Sequence, residues 1–262
     1  MSAVIGQSLS DAVVMVTGAR GDIGRAVCSA LGDAGALVVG TGLGDPPKDV
    51  RLQAWLQHDV TSAEDWAHVV REIRARFGRM DCLINNAGVA LVERIEDTSI
   101  EQYRFVFRVN VESVLLGFKA TVPLLRECGR YRSGGSAVVN ISSTAGLRGV
   151  AFNSIYSASK GALAQLSKSA AKEFAALGYM IRVNTIVPGA VETRMMAGIL
   201  SRYVDIGRAV SVEDQKSIFE TLAPLGRMAR PEEIAEGVAF LCSPAAAYMT
   251  GCELIMDGGA IA

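Results

Sequence analysis

Apolar residues come along this 262-residue chain in short runs separated by amphipathic stretches, and the alternation is regular from end to end. Runs that read as strands fall near 12–17, 36–41, 54–58, 81–85, 136–142, 181–187 and 253–256. Between them, apolar positions recur at helical spacing over 23–34, 63–77, 99–128, 155–177 and 231–242. Strands and helices taking turns in this way predict an α/β fold, a parallel sheet covered by helices on both faces. One interval departs from the pattern. Between Gly42 and Gln57 the chain is short, proline-bearing and only weakly helical, so a helix there is expected to be absent or reduced.

The length suits one α/β domain with a sizeable core. The stretches GLGDPPKD and YRSGGS are short and read as loops, not linkers. Lys and Arg number 26 against 27 Asp and Glu, interspersed, so the basic footprint that nucleic-acid binding requires is missing. The opening MSAVIGQSLSDA lacks the pattern of a signal peptide, and no run reaches the length of a membrane span. The five cysteines, at 28, 82, 128, 242 and 252, show no CxxC spacing and read as free thiols of a cytoplasmic protein. Asn140-Ile141-Ser142 is sequon-like but lies in an expected buried strand, so glycosylation is not anticipated.

Chemistry concentrates at the ends of the expected strands. VVMVTGARGDIGRAV, from Val13 to Val27, reads as a strand, a glycine-bearing turn and a helix N-terminus, an arrangement that lets backbone approach a pyrophosphate. In YSASKGAL, Tyr156 and Lys160 are four residues apart and share one helix face. An ammonium there is expected to lower the tyrosine's pKa from its ordinary ~10, equipping it to exchange a proton with a substrate oxygen. Ser143, thirteen residues upstream at the end of VNISS, can supply a second hydrogen bond. LINNAGVA, Asn110 within RVNVESV, and VNTIVPGAVETRM complete the set.

Jointly TGARGDIG, Asp59-Val60, NNAG, Asn110, Ser143, YSASK and Pro188-Gly189 resemble the short-chain dehydrogenase/reductase family from Val13 to Gly259. The flavour is that of bacterial hydroxysteroid and secondary-alcohol dehydrogenases. The resemblance implies a Rossmann-type doubly wound sheet of about seven strands, homotetrameric assembly, and reversible reduction of a ketone by NADP or NAD. It makes Tyr156 the acid/base, with Ser143 polarising the substrate oxygen. Lys160 would act on the tyrosine and the nicotinamide ribose, and Asn110 would hold a water in a proton relay. Gly18, Ile23 and Gly24 would form the cofactor turn, with Asp22 in the place of a glycine, pointing outward or capping the helix. Asp59 and Val60 would meet the adenine; Asn86, Ala87 and Gly88 would underlie the cofactor; Pro188, Gly189, Val191 and Thr193 would embrace the carboxamide.

An NAD enzyme of this type carries an acid where this chain has Gly42, and Arg20 could approach a 2′-phosphate, so the cofactor choice tilts towards NADP. Asp45 and Lys48 could reverse it if their loop folds back. Val89, Leu91, Leu147, Val150, Phe152, Met195 and Met196 are the expected pocket residues, with 194–224 as a mobile lid or a pair of ordinary amphipathic helices. Clustered metal ligands are missing from the sequence, and a serine hydrolase would need a G-x-S-x-G turn that does not occur. Two rivals stand: a reductase of carrier-linked 3-oxoacyl chains, favoured by a cationic pocket mouth, and a dinucleotide-sensing or scaffold protein.

Overall fold

The structure, a computed structural model, describes residues 9–262; residues 1–8, part of the segment expected not to be a leader, lie outside it. Seven parallel strands form one sheet in the order β3-β2-β1-β4-β5-β6-β7. They are β1 Val13–Thr17, β2 Leu37–Gly42, β3 Ala54–Gln57, β4 Cys82–Asn85, β5 Ser136–Ile141, β6 Ile181–Pro188 and β7 Glu253–Met256. Helices α1 (Asp22–Asp33) and α8 (Pro231–Cys242) cover one face, and α2 (Ala63–Phe77), α4 (Ser113–Gly129) and α5 (Ser154–Ala176) the other. Successive strand residues serve opposite cores. In β1, Val14 and Val16 pack towards α1 and α8, while Val13 and Met15 pack towards α2 and α4. That is why these strands read as continuous apolar runs.

From β2 to β3 the chain crosses without a helix, as expected from the proline-bearing loop. The strand order reverses direction at the β1/β4 boundary, so the turns after those strands diverge and leave a crevice at their carboxyl ends.

One expectation needs correcting. The segment 99–128 is not one helix: α3 (Ile100–Phe107) passes into a five-residue π turn, Arg108–Glu112, before α4 begins. Asn110 lies inside that turn, and its side chain is bonded to Val89, which gives the local unwinding a cause. The segment 194–224 holds two helices, one of the two arrangements expected of it. Its first half, α6 (Arg194–Asp205), is bonded at both ends: Arg194 to Asp22, and Arg202 to Glu93. Its second half, α7 (Val212–Leu222), exposes Val212, Ile218 and Leu222.

Candidate active site

A cavity of about 1470 Å³ occupies the crevice. It exceeds the ~300–1,000 Å³ of a pocket for one small ligand, so it has room for a dinucleotide and a substrate together. Gly18, with φ +62°, turns the chain directly after β1. A Cβ on it would fall 2.9 Å from Ala87 Cα, and one on Gly24 would fall 2.4 Å from the Gly18 carbonyl oxygen. Backbone therefore fills the space a side chain would need, and the turn presents main-chain groups to the cavity. Thr17 Oγ1 accepts from the N–H groups of Asn86 and Ala87, at 3.0 and 3.1 Å, locking the second turn beside the first.

Asp22 neither caps α1 nor points freely outward. The N-cap is Gly21, without a side-chain bond, and the Asp22 carboxylate accepts from the Arg194 backbone N–H at 2.7 Å and from its Nε at 3.0 Å. Arg20 lies outside the cavity wall, but its Nη1 donates to the Leu43 carbonyl at 2.8 Å, which parks the guanidinium at the end of β2. Gly42 lines the cavity and Asp45 and Lys48 do not. The Gln57 and Trp55 side chains hold Gly44, fixing the loop's entry at the end of β2. Asp59 and Val60 are on the wall, and one Asp59 oxygen is engaged by the Thr61 N–H and hydroxyl.

At the other end, Ser143 follows β5 and Tyr156 and Lys160 sit in the first turns of α5, all three on the cavity. Ser142 Oγ donates to the Lys160 carbonyl at 2.9 Å, fastening helix to strand. The expected electrostatics are altered. Burial pushes the Tyr156 phenol above its ordinary pKa, and the adjacent Ser143 hydroxyl pulls it back in part. Lys160 does not offset this, because its Nζ donates to the Ile141 carbonyl at 2.8 Å and sits 5.8 Å from the centroid of the tyrosine ring. Its own burial pushes its pKa down to about 8.

Asn110 is buried behind this wall. Its Oδ1 accepts from the Val89 N–H at 2.9 Å, and its two N–H groups reach the Val89 carbonyl and Ser159 Oγ, at 2.9 and 3.0 Å. The amide therefore clamps Val89, the residue after NNAG, with both side-chain donors engaged. Pro188 ends β6 on the wall, and Gly189, Val191 and Thr193 follow it there. Thr193 Oγ1 caps α6, accepting from the Met196 N–H at 3.1 Å.

Of the expected substrate contacts, Val89, Val150, Phe152, Met195 and Met196 line the cavity. Leu91 and Leu147 do not: Leu147 points to solvent after the short 3-10 turn Thr144–Gly146, and Leu91 lies outside the cavity lining. Phe152 holds φ +66°, a left-handed conformation that costs a bulky residue of order 1–3 kcal/mol. Its ring packs edge-on to Tyr203 and beneath the guanidinium of Arg208, 4.8 Å away. Tyr203, Arg208, Arg148 and Phe219 also line the cavity, and nothing in the local sequence marks them; packing of the segment after β6 brings Tyr203, Arg208 and Phe219 there, and Arg148 comes from the loop after β5. Among the described residues no group of His, Cys, Asp and Glu could hold a metal, and no helix is long and apolar enough to cross a membrane.

The family model described as "Enoyl-(Acyl carrier protein) reductase" matches residues 18–260. The chain is 33% identical to cis-4-hydroxycyclohexanecarboxylate dehydrogenase of Sinomonas cyclohexanicum, over 97% of this chain and 98% of that protein. It is 34% identical to cyclopentanol dehydrogenase of Comamonas sp., over 96% and 97% respectively. The ligand-free structure of an aldohexose dehydrogenase from Thermoplasma acidophilum superposes with a TM-score of 0.87 at 30% identity, covering 97% of this chain and 96% of that one. A seven-stranded doubly wound sheet, a glycine-lined dinucleotide crevice and this similarity along nearly the whole chain agree: the protein belongs to the short-chain dehydrogenase/reductase family and is an NAD(P)-dependent oxidoreductase.

Proposed function

We propose that the enzyme interconverts a cyclic, largely apolar ketone and its secondary alcohol, with Tyr156 moving the proton and NADP as the preferred coenzyme. The observation that carries this reading is the Ser143–Tyr156 pair, both half-buried on a cavity whose substrate side is walled by Val89, Val150, Phe152 and Met196. The cofactor, when bound, supplies or accepts a hydride. Gly18, Gly24, Asn86, Ala87 and Gly88 would form its cradle, and Lys160 would meet its ribose.

Tyr156, its pKa raised by burial, is protonated at neutral pH and so donates to a carbonyl oxygen during reduction. Ser143 holds that oxygen. In the reverse direction the same phenol must first lose its proton, so oxidation is expected to climb as pH rises while reduction does not. The NADP preference is supported by Gly42 on the wall and by Arg20 at the end of β2. Cytoplasmic location and a tetramer fit as well, the latter supported by Ile100, Phe105 and Leu115 exposed on α3 and α4.

A second reading has an observation in its favour. Arg148 and Arg208 line the cavity, which is the cationic mouth expected for a carrier-linked acyl chain. The same cations would also suit a ring bearing a carboxylate. Competition among cyclohexanone, 4-oxocyclohexanecarboxylate and an acetoacetyl-carrier substrate, at low and high salt, separates the cases. The ring ketones should win by kcat/KM; steep salt dependence with preference for the carrier substrate rejects the proposal.

A further inference from the structure

Asp22 poses a physical problem. It occupies the first turn of α1, facing the cavity, where the helix N-terminus and the glycine turn are built to receive a pyrophosphate. A bare carboxylate there repels that ligand. The structure shows what accompanies it: Arg194, the first residue of α6, gives Asp22 its backbone N–H at 2.7 Å and its Nε at 3.0 Å. Arg194 Nη2 also donates to the Arg20 carbonyl at 2.9 Å, inside the glycine turn. Asp22 is mostly covered, at 22% side-chain exposure, while Arg194 is 71% exposed and lies on the cavity wall. The two are 172 residues apart in sequence.

We infer that Arg194 is a positioning residue for the cofactor: it cancels the Asp22 charge so that the turn can take a dinucleotide, and in doing so ties α6 to the dinucleotide site. The inference rests on the family assignment and extends it. It makes an asymmetric demand that a purely structural latch does not. Removing only the cation leaves an uncompensated acid beside the phosphates. Removing only the acid leaves a cation there, which suits them.

The test is a double-mutant cycle on the dissociation constants of NADP and NAD, read by calorimetry without substrate. Arg194→Gln should weaken both by roughly 10-fold, the scale of one uncompensated charge near an anion. Asp22→Asn should leave binding unchanged or tighter. The double variant should recover most of the loss, and Arg194→Lys, which keeps the charge, should lose little. Amide exchange of the free protein over 194–200 supplies a second reading, since the ion pair is absent from both single variants and both should exchange faster there. Two results overturn the inference: unchanged affinity in Arg194→Gln, or equal weakening in both single variants without recovery in the double. In the latter case the pair is a latch only. If the wild type binds neither dinucleotide, the cofactor assignment itself fails.

Discussion

The two ends of the cavity are built in different ways. At the cofactor end, main chain lies against main chain: Gly18 and Gly24 pack so closely on Ala87, Ala19 and the Gly18 carbonyl that a single methyl group has no room. At the substrate end the wall is made of side chains. Phe152 packs edge-on to Tyr203 and beneath Arg208, and Phe219 of α7 packs edge-on to Tyr203. A ligand shared by a whole family can be met by backbone, which does not vary with sequence. A variable one is met by side chains, several of them on the helices after β6, so the first region tolerates almost no change and the second is where specificity can be altered.

The largest effect should come where the two regions meet. Tyr156→Phe removes only a hydroxyl, so turnover should drop by about 100-fold or more while dinucleotide affinity holds. Near-normal turnover in the folded variant would remove the tyrosine from the reaction. The cofactor end comes next: Gly24→Ala puts a Cβ 2.4 Å from a carbonyl oxygen and 2.8 Å from Asn86 Nδ2, so it should destabilise by about 2 kcal/mol and weaken dinucleotide binding. Thermal unfolding and calorimetry together read this. Gly42→Asp is milder. Its Cβ would meet Trp55 Cη2 at 3.2 Å, a contact a small ring shift relieves. The added acid should move the NADP-to-NAD ratio of kcat/KM towards NAD by roughly 10-fold. A wild type that already prefers NAD strongly would show the NADP preference to be wrong. The smallest effect should be at Gly198 in α6, where nothing lies within 4 Å of an added Cβ. Gly198→Ala should stabilise by about 0.5–1 kcal/mol, measured as a raised Tm with cofactor binding intact.

The sequence by itself determined the layered fold, because a strand buried on both faces and an amphipathic helix have different apolar periods, and these alternate cleanly from β1 to β7. It also determined which strand ends carry chemistry. Gly18, Gly24, Ser143, Tyr156 and Lys160 are locally spaced, and all of them line the cavity. Tertiary structure decided whatever depends on partners far away in the chain. Lys160 was expected to act on the tyrosine, but only the packing of β5 against α5 directs its Nζ to the Ile141 carbonyl and lets burial govern both pKa values. Asn110 was legible as a helix residue able to perturb its helix, but only the fold shows that its side chain engages Val89 and Ser159. Asp22 stood out in the sequence as an acid at a glycine's place, while its answer, Arg194, lies 172 residues away. Local propensity acts over a few residues, whereas charge compensation and desolvation depend on whichever groups the fold brings together.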